Sequence, residues 1–277
     1  MTDKSSDEQG LSGRARAADA AARAGAAVAA EAFRTDIAVE AKTNATDFVT
    51  EADRDAQAAV VTALRERGFE GPVVGEEEAD EVVDAVPETG PAWVVDPIDG
   101  TNNFVRGVPV WTTSVAAVVD GAAVAGASAA PMLEDVFVAD GTAAWLNDQP
   151  MAVSERTDPA EFAVAPTLWW GHDRRAEFAA ACREIVERFD DLRRFGTVQY
   201  SLAAVAMGAL EGAITNVRGA PWDTVAGAHL VERAGGTVTD IHGEPWRHDA
   251  QGLVASNGEA HDEVLAAARA IEAERPD

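Results

Sequence analysis

Hydrophobic residues recur at helical spacing in two stretches near the start of the chain. Residues 11–33 are rich in alanine, with arginines and acids interspersed, which favours one long helix. Residues 52–67 place their apolar side chains on one helical face, and Gly68 is suited to end that helix. Two helices are therefore predicted ahead of the first strand.

Short apolar runs separated by turn signals dominate the rest of the first half, residues 1–150. They predict strands at residues 72–74, 93–95, 112–119, 122–128, 135–139 and 142–146. The Asp-Gly pairs at 120–121 and 140–141 are typical of tight hairpins, and strands joined in that way are antiparallel. We expect helices packed on an antiparallel sheet in this half.

The second half, residues 151–277, alternates strands with helices. Strands are predicted at 163–168, 192–195, 213–217, 237–241 and 253–256, and helices at 174–189, 199–210, 224–234 and 260–274. Neither an internal repeat nor a low-complexity linker divides the chain. The pattern favours an α+β or α/β fold in which the two halves form one continuous unit and meet near Pro150.

Composition limits the classes of partner. The chain has 277 residues, 47% of them hydrophobic, which is enough for a large core. Its net charge of −26 repels nucleic-acid backbones and anionic membranes, so neither is an expected partner. A single cysteine excludes an internal disulfide, and no apolar run reaches eighteen residues, so a cytoplasmic location is expected. The acidic, lysine-poor composition resembles that of proteins from extreme halophiles.

Residues 93–104, Trp-Val-Val-Asp-Pro-Ile-Asp-Gly-Thr-Asn-Asn-Phe, carry the strongest chemical signal. Pro97 lacks an N–H and is expected to end the strand after Asp96, and the following turn brings Asp99 back toward it. Carboxylates at this spacing suit Mg²⁺ or Mn²⁺ better than Zn²⁺. Composition alone would produce such an acid-Pro-x-acid-Gly-Thr motif in roughly two chains per thousand.

Donors for a phosphate follow these acids directly. The N–H groups of Gly100 and Thr101 can point at an anion, more so if a helical turn begins there, and the Ile98 carbonyl can add an oxygen for a cation. Two carboxylates rarely hold cations beside a phosphate, so more acids are required. Glu76 follows a predicted strand and Asp223 begins a predicted helix, although a solvated turn and a helix N-cap remain open for them.

Three motifs resemble the inositol monophosphatase family in order and approximate spacing: Gly75-Glu76-Glu77, the Asp96–Phe104 segment and Trp222-Asp223-x-x-Ala226-Gly227. The resemblance covers nearly the whole chain and implies a layered αβαβα sandwich of the inositol monophosphatase and fructose-1,6-bisphosphatase type. It implies two or three Mg²⁺ ions, with Mn²⁺ as a substitute. The implied ligands are Glu76, Asp96, the Ile98 carbonyl, Asp99 and Asp223. Asp223 would also contact the substrate.

The resemblance assigns further roles around the ions. Glu76 and Thr101 would steer the attacking water, Asp53 would orient Thr101, and Lys42 would lie near the metals. An N-cap role for Asp53 and a plain surface position for Lys42 remain open from the residues alone.

The sequence indicates the substrate contacts less clearly than the cation ligands. By resemblance, Asp99, Gly100, Thr101 and Asp223 would contact the phosphate side of the substrate. Gly196-Thr197 resembles the segment that contacts the leaving group, although Val198 replaces a usual small residue. Thr215 or Asn216 falls near the position where inositol-specific members carry glutamate. Trp169, Trp170 and Trp246 could line a pocket, but packing is the favoured role for them.

The expected function is therefore a Mg²⁺-dependent phosphomonoesterase for a small sugar or polyol phosphate, first of all inositol monophosphate. A fructose-1,6-bisphosphatase or a dual activity is the first alternative, and 3′-phosphoadenosine phosphatase and histidinol phosphatase come next. Two non-enzymatic alternatives remain open: a cation-binding regulatory protein, and a protein whose acidic residues serve salt tolerance alone. The resemblance also leads us to expect a homodimer.

Overall fold

The computed structural model describes residues 11–35, 39–41, 48–77, 79, 82–83 and 85–275. The α-helices are α1 (Gly13–Ala32), α2 (Glu51–Glu66), α3 (Thr101–Val105), α4 (Arg175–Arg188), α5 (Val198–Ala206), α6 (Pro221–Arg233) and α7 (His261–Glu272). The strands are β1 (Val39–Ala41), β2 (Phe48–Thr50), β3 (Val73–Gly75), β4 (Val82–Val83), β5 (Pro91–Asp99), β6 (Thr112–Val119), β7 (Ala122–Ala130), β8 (Asp135–Ala139), β9 (Ala144–Leu146), β10 (Gln149–Met151), β11 (Ala163–Pro166), β12 (Asp191–Leu192), β13 (Gly212–Thr215), β14 (Thr237–Thr239) and β15 (Leu253–Ser256). Across these ranges, every helix is too short or too polar to cross a membrane.

The first large sheet has eight strands in the order β10-β9-β8-β7-β6-β5-β3-β4. From β10 to β5 the neighbours are antiparallel, as the hairpin signals predicted, but β3 pairs in parallel with both β5 and β4. The expectation of a purely antiparallel sheet is therefore wrong at this edge. The chain leaves β3 by a long connection rather than a tight turn, which allows β5 to run in the same direction.

The second large sheet has five strands in the order β12-β11-β13-β15-β14. Strand β11 is parallel to β12 and β13, and β15 is antiparallel to β13 and β14. Most predicted elements of this half are shorter in the structure; the strand at 192–195 is observed as β12, and the helix at 199–210 is observed as α5. That helix ends at Ala206 because Gly208 adopts a left-handed conformation with φ of 74°.

Helices and sheets stack in five layers. Helices α1 and α2 cover one face of the first sheet, α5 and α6 lie between the two sheets, and α4 and α7 cover the far face of the second. The buried face of α1 consists of small side chains, chiefly alanine, so that this helix can lie close to β6 and β7. The layered αβαβα architecture predicted by resemblance is confirmed.

The middle layer is packed at close range through glycine. A Cβ atom on Gly227 of α6 would lie 2.6 Å from Leu202 Cδ1 and 2.8 Å from Gln199 Oε1, both on α5. Toward the first sheet, a Cβ on Gly126 of β7 would lie 3.2 Å from the Ala226 carbonyl. These contacts hold the start of α6 against both α5 and the first sheet.

Gly227→Ala is expected to destabilise the protein by about 1–3 kcal/mol, because the added methyl group overpacks the contact between α5 and α6. Urea unfolding monitored by circular dichroism measures the change. Gly141→Ala is the matched control, since no atom lies within 4 Å of the Cβ position there. Equal stability of the two variants would contradict the packing described for this layer.

Candidate active site

Acidic side chains from three separate elements line one pocket of about 310 Å³. Glu76 follows β3, Asp96 and Asp99 lie near the end of β5, and Asp223 lies in the first turn of α6. The other lining residues are Ile98, Gly100, Thr101, Asn102, Leu168, Trp169, Arg194, Gly196, Thr197 and Val198. The four acids that the sequence singled out as cation ligands are thus brought together.

Strand β5 does not end at Pro97, so that expectation is wrong. Asp96 is paired with Ser114, and the ladder to β6 resumes at Asp99, which is paired with Thr112. The register shifts between the two aspartates, and a proline is tolerated at such an irregularity because its missing N–H breaks no regular ladder bond. The Pro97 carbonyl instead accepts a hydrogen bond from the Thr113 hydroxyl at 2.7 Å.

Asp96 lies in an electrostatically unfavourable position in the pocket. It is 2% exposed, and its Oδ1 has no hydrogen-bond partner among the described residues. Burial, followed by the negative charges of neighbouring acids, raises the pKa of Asp96 well above its ordinary value. The acids responsible are Glu76, Asp99, Asp223 and Asp53. A buried, unpaired carboxylate oxygen among other carboxylates is a suitable ligand for a hard cation.

Asp99 faces the N-terminus of α5. Its Oδ2 accepts hydrogen bonds from the Thr197 hydroxyl and from the Gln199 N–H at 2.7 Å, and its Oδ1 accepts one from the Val198 N–H at 3.1 Å. Burial raises the pKa of Asp99 to about 6, although these hydrogen bonds act in the opposite direction. The predicted substrate segment Gly196-Thr197 is therefore joined directly to a predicted metal ligand.

Gly100 and Thr101 form the turn that the sequence predicted beside the acids. Gly100 adopts a left-handed conformation with φ of 93°, and α3 begins at the next residue. The Thr101 hydroxyl lies 3.0 Å from the Ile98 carbonyl and 3.5 Å from Oδ1 of Asp53, which is buried in the first turn of α2. The structure thus places Asp53 beside Thr101, as the resemblance implied.

Helix α6 begins at Pro221, three residues earlier than predicted, since proline is favoured at the first helical position. Asp223 is therefore not the N-cap of this helix, because Ala220 occupies that position. The Asp223 Oδ2 accepts a hydrogen bond from the Ala220 N–H at 3.0 Å, which orients the carboxylate near the positive end of the helix.

Glu76 faces the pocket, whereas Glu77 is turned away from it. The buried Gln57 side chain donates to the Glu77 carbonyl at 2.6 Å and accepts from the Glu77 N–H at 3.1 Å. This two-way contact fixes the backbone immediately after β3, so that only the first of the two glutamates lines the pocket.

The four pocket acids have the donor chemistry that a divalent cation requires, but they are not drawn together into a closed cluster. In the part of the chain that the structure describes, no three His, Cys, Asp or Glu side chains are grouped so that they could hold a metal ion as they stand.

Two residues of the site had no assigned role in the sequence. Arg194 lines the pocket, and its guanidinium donates to the carbonyls of Pro166 at 3.2 Å and Leu168 at 3.0 Å. The Asn103 amide donates to the carbonyls of Val110 and Phe195, both at 2.7 Å, and so holds the loop before α5 against the turn at Gly100. Each of them contacts at least one backbone carbonyl more than twenty residues away in sequence, which no local motif reveals.

The remaining candidates divide by burial. Thr215 and Asn216 do not line the pocket, and both are fully buried. The Asn216 side chain accepts a hydrogen bond from Trp170 Nε1 at 2.7 Å and donates one to Glu272 Oε2 at 2.8 Å. Trp170 is buried and Trp246 packs on the core, whereas Trp169 is 44% exposed and lines the pocket. Lys42 lies outside the described residues.

Comparisons with known proteins agree with the geometry. The model of the inositol monophosphatase family matches residues 12–273. The chain belongs to the inositol monophosphatase family. It is accordingly a phosphatase of phosphomonoesters, which confirms the enzyme class predicted from sequence, and the family as a whole is metal-dependent.

Individual relatives support this assignment over different lengths. The fructose-1,6-bisphosphatase/inositol-1-monophosphatase of Thermotoga maritima is 32% identical over 213 residues, 76% of this chain and 78% of that protein. Inositol monophosphatase 3 of Solanum lycopersicum is 31% identical over 180 residues, 64% of this chain and 67% of that protein. The solved structure of the Thermotoga maritima IMPase superposes with a TM-score of 0.81 at 30% identity, over 94% of this chain and 96% of that one.

Proposed function

We propose that this phosphatase is Mg²⁺-dependent and hydrolyses a small sugar or polyol phosphate, with inositol monophosphate as the first candidate. The observation that carries the proposal is the convergence of Glu76, Asp96, Asp99 and Asp223 on a pocket that also contains the Gly100-Thr101 turn. Hard carboxylate oxygens suit Mg²⁺ better than Zn²⁺, with Mn²⁺ as a substitute. Two or three ions would be held by these acids and the Ile98 carbonyl.

Each group of the site would have a separate role in the reaction. Bound Mg²⁺ would supply an acidified water and neutralise the charge of the ester. The N–H groups of Gly100 and Thr101 would bind phosphate oxygens at the start of α3. Glu76 would accept a proton from the attacking water, and Thr101, held by Asp53 and the Ile98 carbonyl, would orient that water. Asp223 would contact both cation and substrate.

Fructose 1,6-bisphosphate is the second candidate substrate, alone or together with inositol monophosphate. The positively charged Arg194 lies in an otherwise acidic pocket and could pair with a second anionic group of the substrate. The Thermotoga maritima relative carries both activities in its name. Because Asn216 is buried, its side chain offers no contact by which the enzyme would select inositol.

Phosphate release from a panel of esters tests the proposal. The panel comprises inositol 1-phosphate, fructose 1,6-bisphosphate, adenosine 3′,5′-bisphosphate and histidinol phosphate, each with Mg²⁺ and with EDTA. We expect release from the first or second ester with Mg²⁺ alone. Equal release in EDTA would contradict the metal dependence, and exclusive release from either of the last two esters would contradict the substrate class.

Three further features belong to the same proposal. The net charge of −26 supports a halophilic protein whose folded state gains from charge screening, so the panel is best run with and without molar KCl. We also propose that the protein is a cytoplasmic homodimer. Size-exclusion chromatography with light scattering in the same salt tests the dimer. A monomer under all conditions would contradict it.

A further inference from the structure

Gln199 connects the two helices of the middle layer by its side chain. It lies at the second position of α5 and is fully buried. Its Nε2 donates to the Trp222 carbonyl at 2.6 Å, and its Oε1 accepts from the Gly227 N–H at 2.7 Å. Both partners belong to the first two turns of α6, on either side of Asp223 in sequence.

The backbone of the same residue holds the other half of the site. The Gln199 N–H donates to Asp99 Oδ2 at 2.7 Å. Asp99 lies on β5 of the first sheet, whereas Asp223 lies on α6, so the two acids belong to elements far apart in the chain. Gln199 contacts the carboxylate of the former and, through its side chain, the backbone on either side of the latter.

We propose that Gln199 is a positioning residue that sets the spacing between Asp99 and Asp223 for cation binding. Gln199 does not line the pocket and therefore acts only through these two acids. Its amide group adds one donor and one acceptor to two defined backbone groups of α6, which makes the arrangement specific rather than approximate. This inference rests on the proposed function, because it assigns the residue a role toward the metal.

The alternative is that Gln199 only fills space between the helices. Leu202, on the same helix, separates the two explanations because it packs against the same Gly227 without any polar contact to α6. Gln199→Met keeps the volume of the side chain and removes both polar contacts. Gln199→Asn keeps an amide that is one methylene too short to reach both partners, and it serves if the methionine variant does not fold. Leu202→Ala is the packing control.

Calorimetric titration with Mg²⁺ at equilibrium, without substrate, provides the decisive measurement. Groups that orient metal ligands typically alter affinity by 10- to 100-fold, so we expect the dissociation constant for Mg²⁺ to rise by about that factor in both Gln199 variants. In Leu202→Ala it should rise by less than about threefold, even where the melting temperature of the metal-free protein falls further.

Two outcomes would overturn the inference: an affinity of Gln199→Met within about threefold of the wild type, or an equal loss in Leu202→Ala. The wild-type protein separates this failure from that of the proposed function. If the wild type releases phosphate with Mg²⁺ while Gln199→Met binds the ion normally, only the positioning role is wrong. If the wild type binds no Mg²⁺, the proposed function itself is contradicted, and the inference with it.

Discussion

Asp96→Asn is expected to reduce phosphate release by about 10³-fold and to raise the melting temperature of the metal-free protein by a few degrees. The loss of activity follows because asparagine removes a full negative charge from the centre of the proposed cation site. The gain in stability follows because ionised Asp96 is buried, lacks a partner for Oδ1 and is repelled by four other acids. Initial rates and thermal unfolding in EDTA measure the two effects.

The control is Asp55→Asn, which removes an equal charge from an exposed position on α2. It should leave the rate unchanged within about twofold and the melting temperature within about one degree. Assays in molar KCl also test whether the acids serve salt tolerance alone, since that alternative predicts an unchanged rate for Asp96→Asn. Retention of more than a tenth of the wild-type rate would contradict a ligand role for Asp96.

The stabilisation that Mg²⁺ gives to the folded protein is expected to increase by about 2 kcal/mol as the pH rises from about 4 to about 6, from Asp99 alone. Burial raises the pKa of Asp99 from 3.8 to about 6. In this window the folded metal-free protein therefore binds a proton that the unfolded chain has released, so its stability falls as the pH rises. Saturating Mg²⁺ favours the ionised carboxylate and removes that loss.

Urea unfolding at a series of pH values, with EDTA and with saturating Mg²⁺, measures this difference. The comparison at each pH cancels carboxylates remote from the site, such as Glu177, whose pKa is lowered by its hydrogen bonds with Arg174. Asp96 should add a contribution of the same sign, because its pKa is also raised. A difference between the two curves that is independent of pH would contradict metal binding by Asp99.

Local patterns predicted the regular elements best where turns bounded them on both sides. Strands β6, β8 and β15 have the predicted ends, because apolar runs stop at Asp-Gly or other turn residues. Strands β4 and β10 were not predicted, since they contain two and three residues and depend on a neighbouring strand for their hydrogen bonds. Strand β5 extends past Pro97 because its pairing with β6 resumes at Asp99, which the sequence of β5 alone does not show.

The site was predicted unequally. The motif at 96–101 and the acids at 76 and 223 could be recognised because cation and phosphate binding require particular residue types at short spacing. The contribution of Arg194 could not, because it depends on where the loop before α5 lies. Nor could the sequence show that Thr215 and Asn216, which the resemblance put near a substrate-contacting position, are buried outside the pocket lining.

The sequence by itself determined the class of chemistry, because carboxylates, glycine and threonine in a fixed local order already specify what can bind there. Periodicity and turn residues, which act over short range, also indicated an α+β or α/β fold, whereas the layered arrangement was implied by the family resemblance. Only the tertiary structure decided which atoms meet across the layers: Asp99 at the start of α5, Asp53 beside Thr101 and Gln199 between α5 and α6. These contacts join segments far apart in the chain, so they depend on packing and buried hydrogen bonds that no local pattern contains.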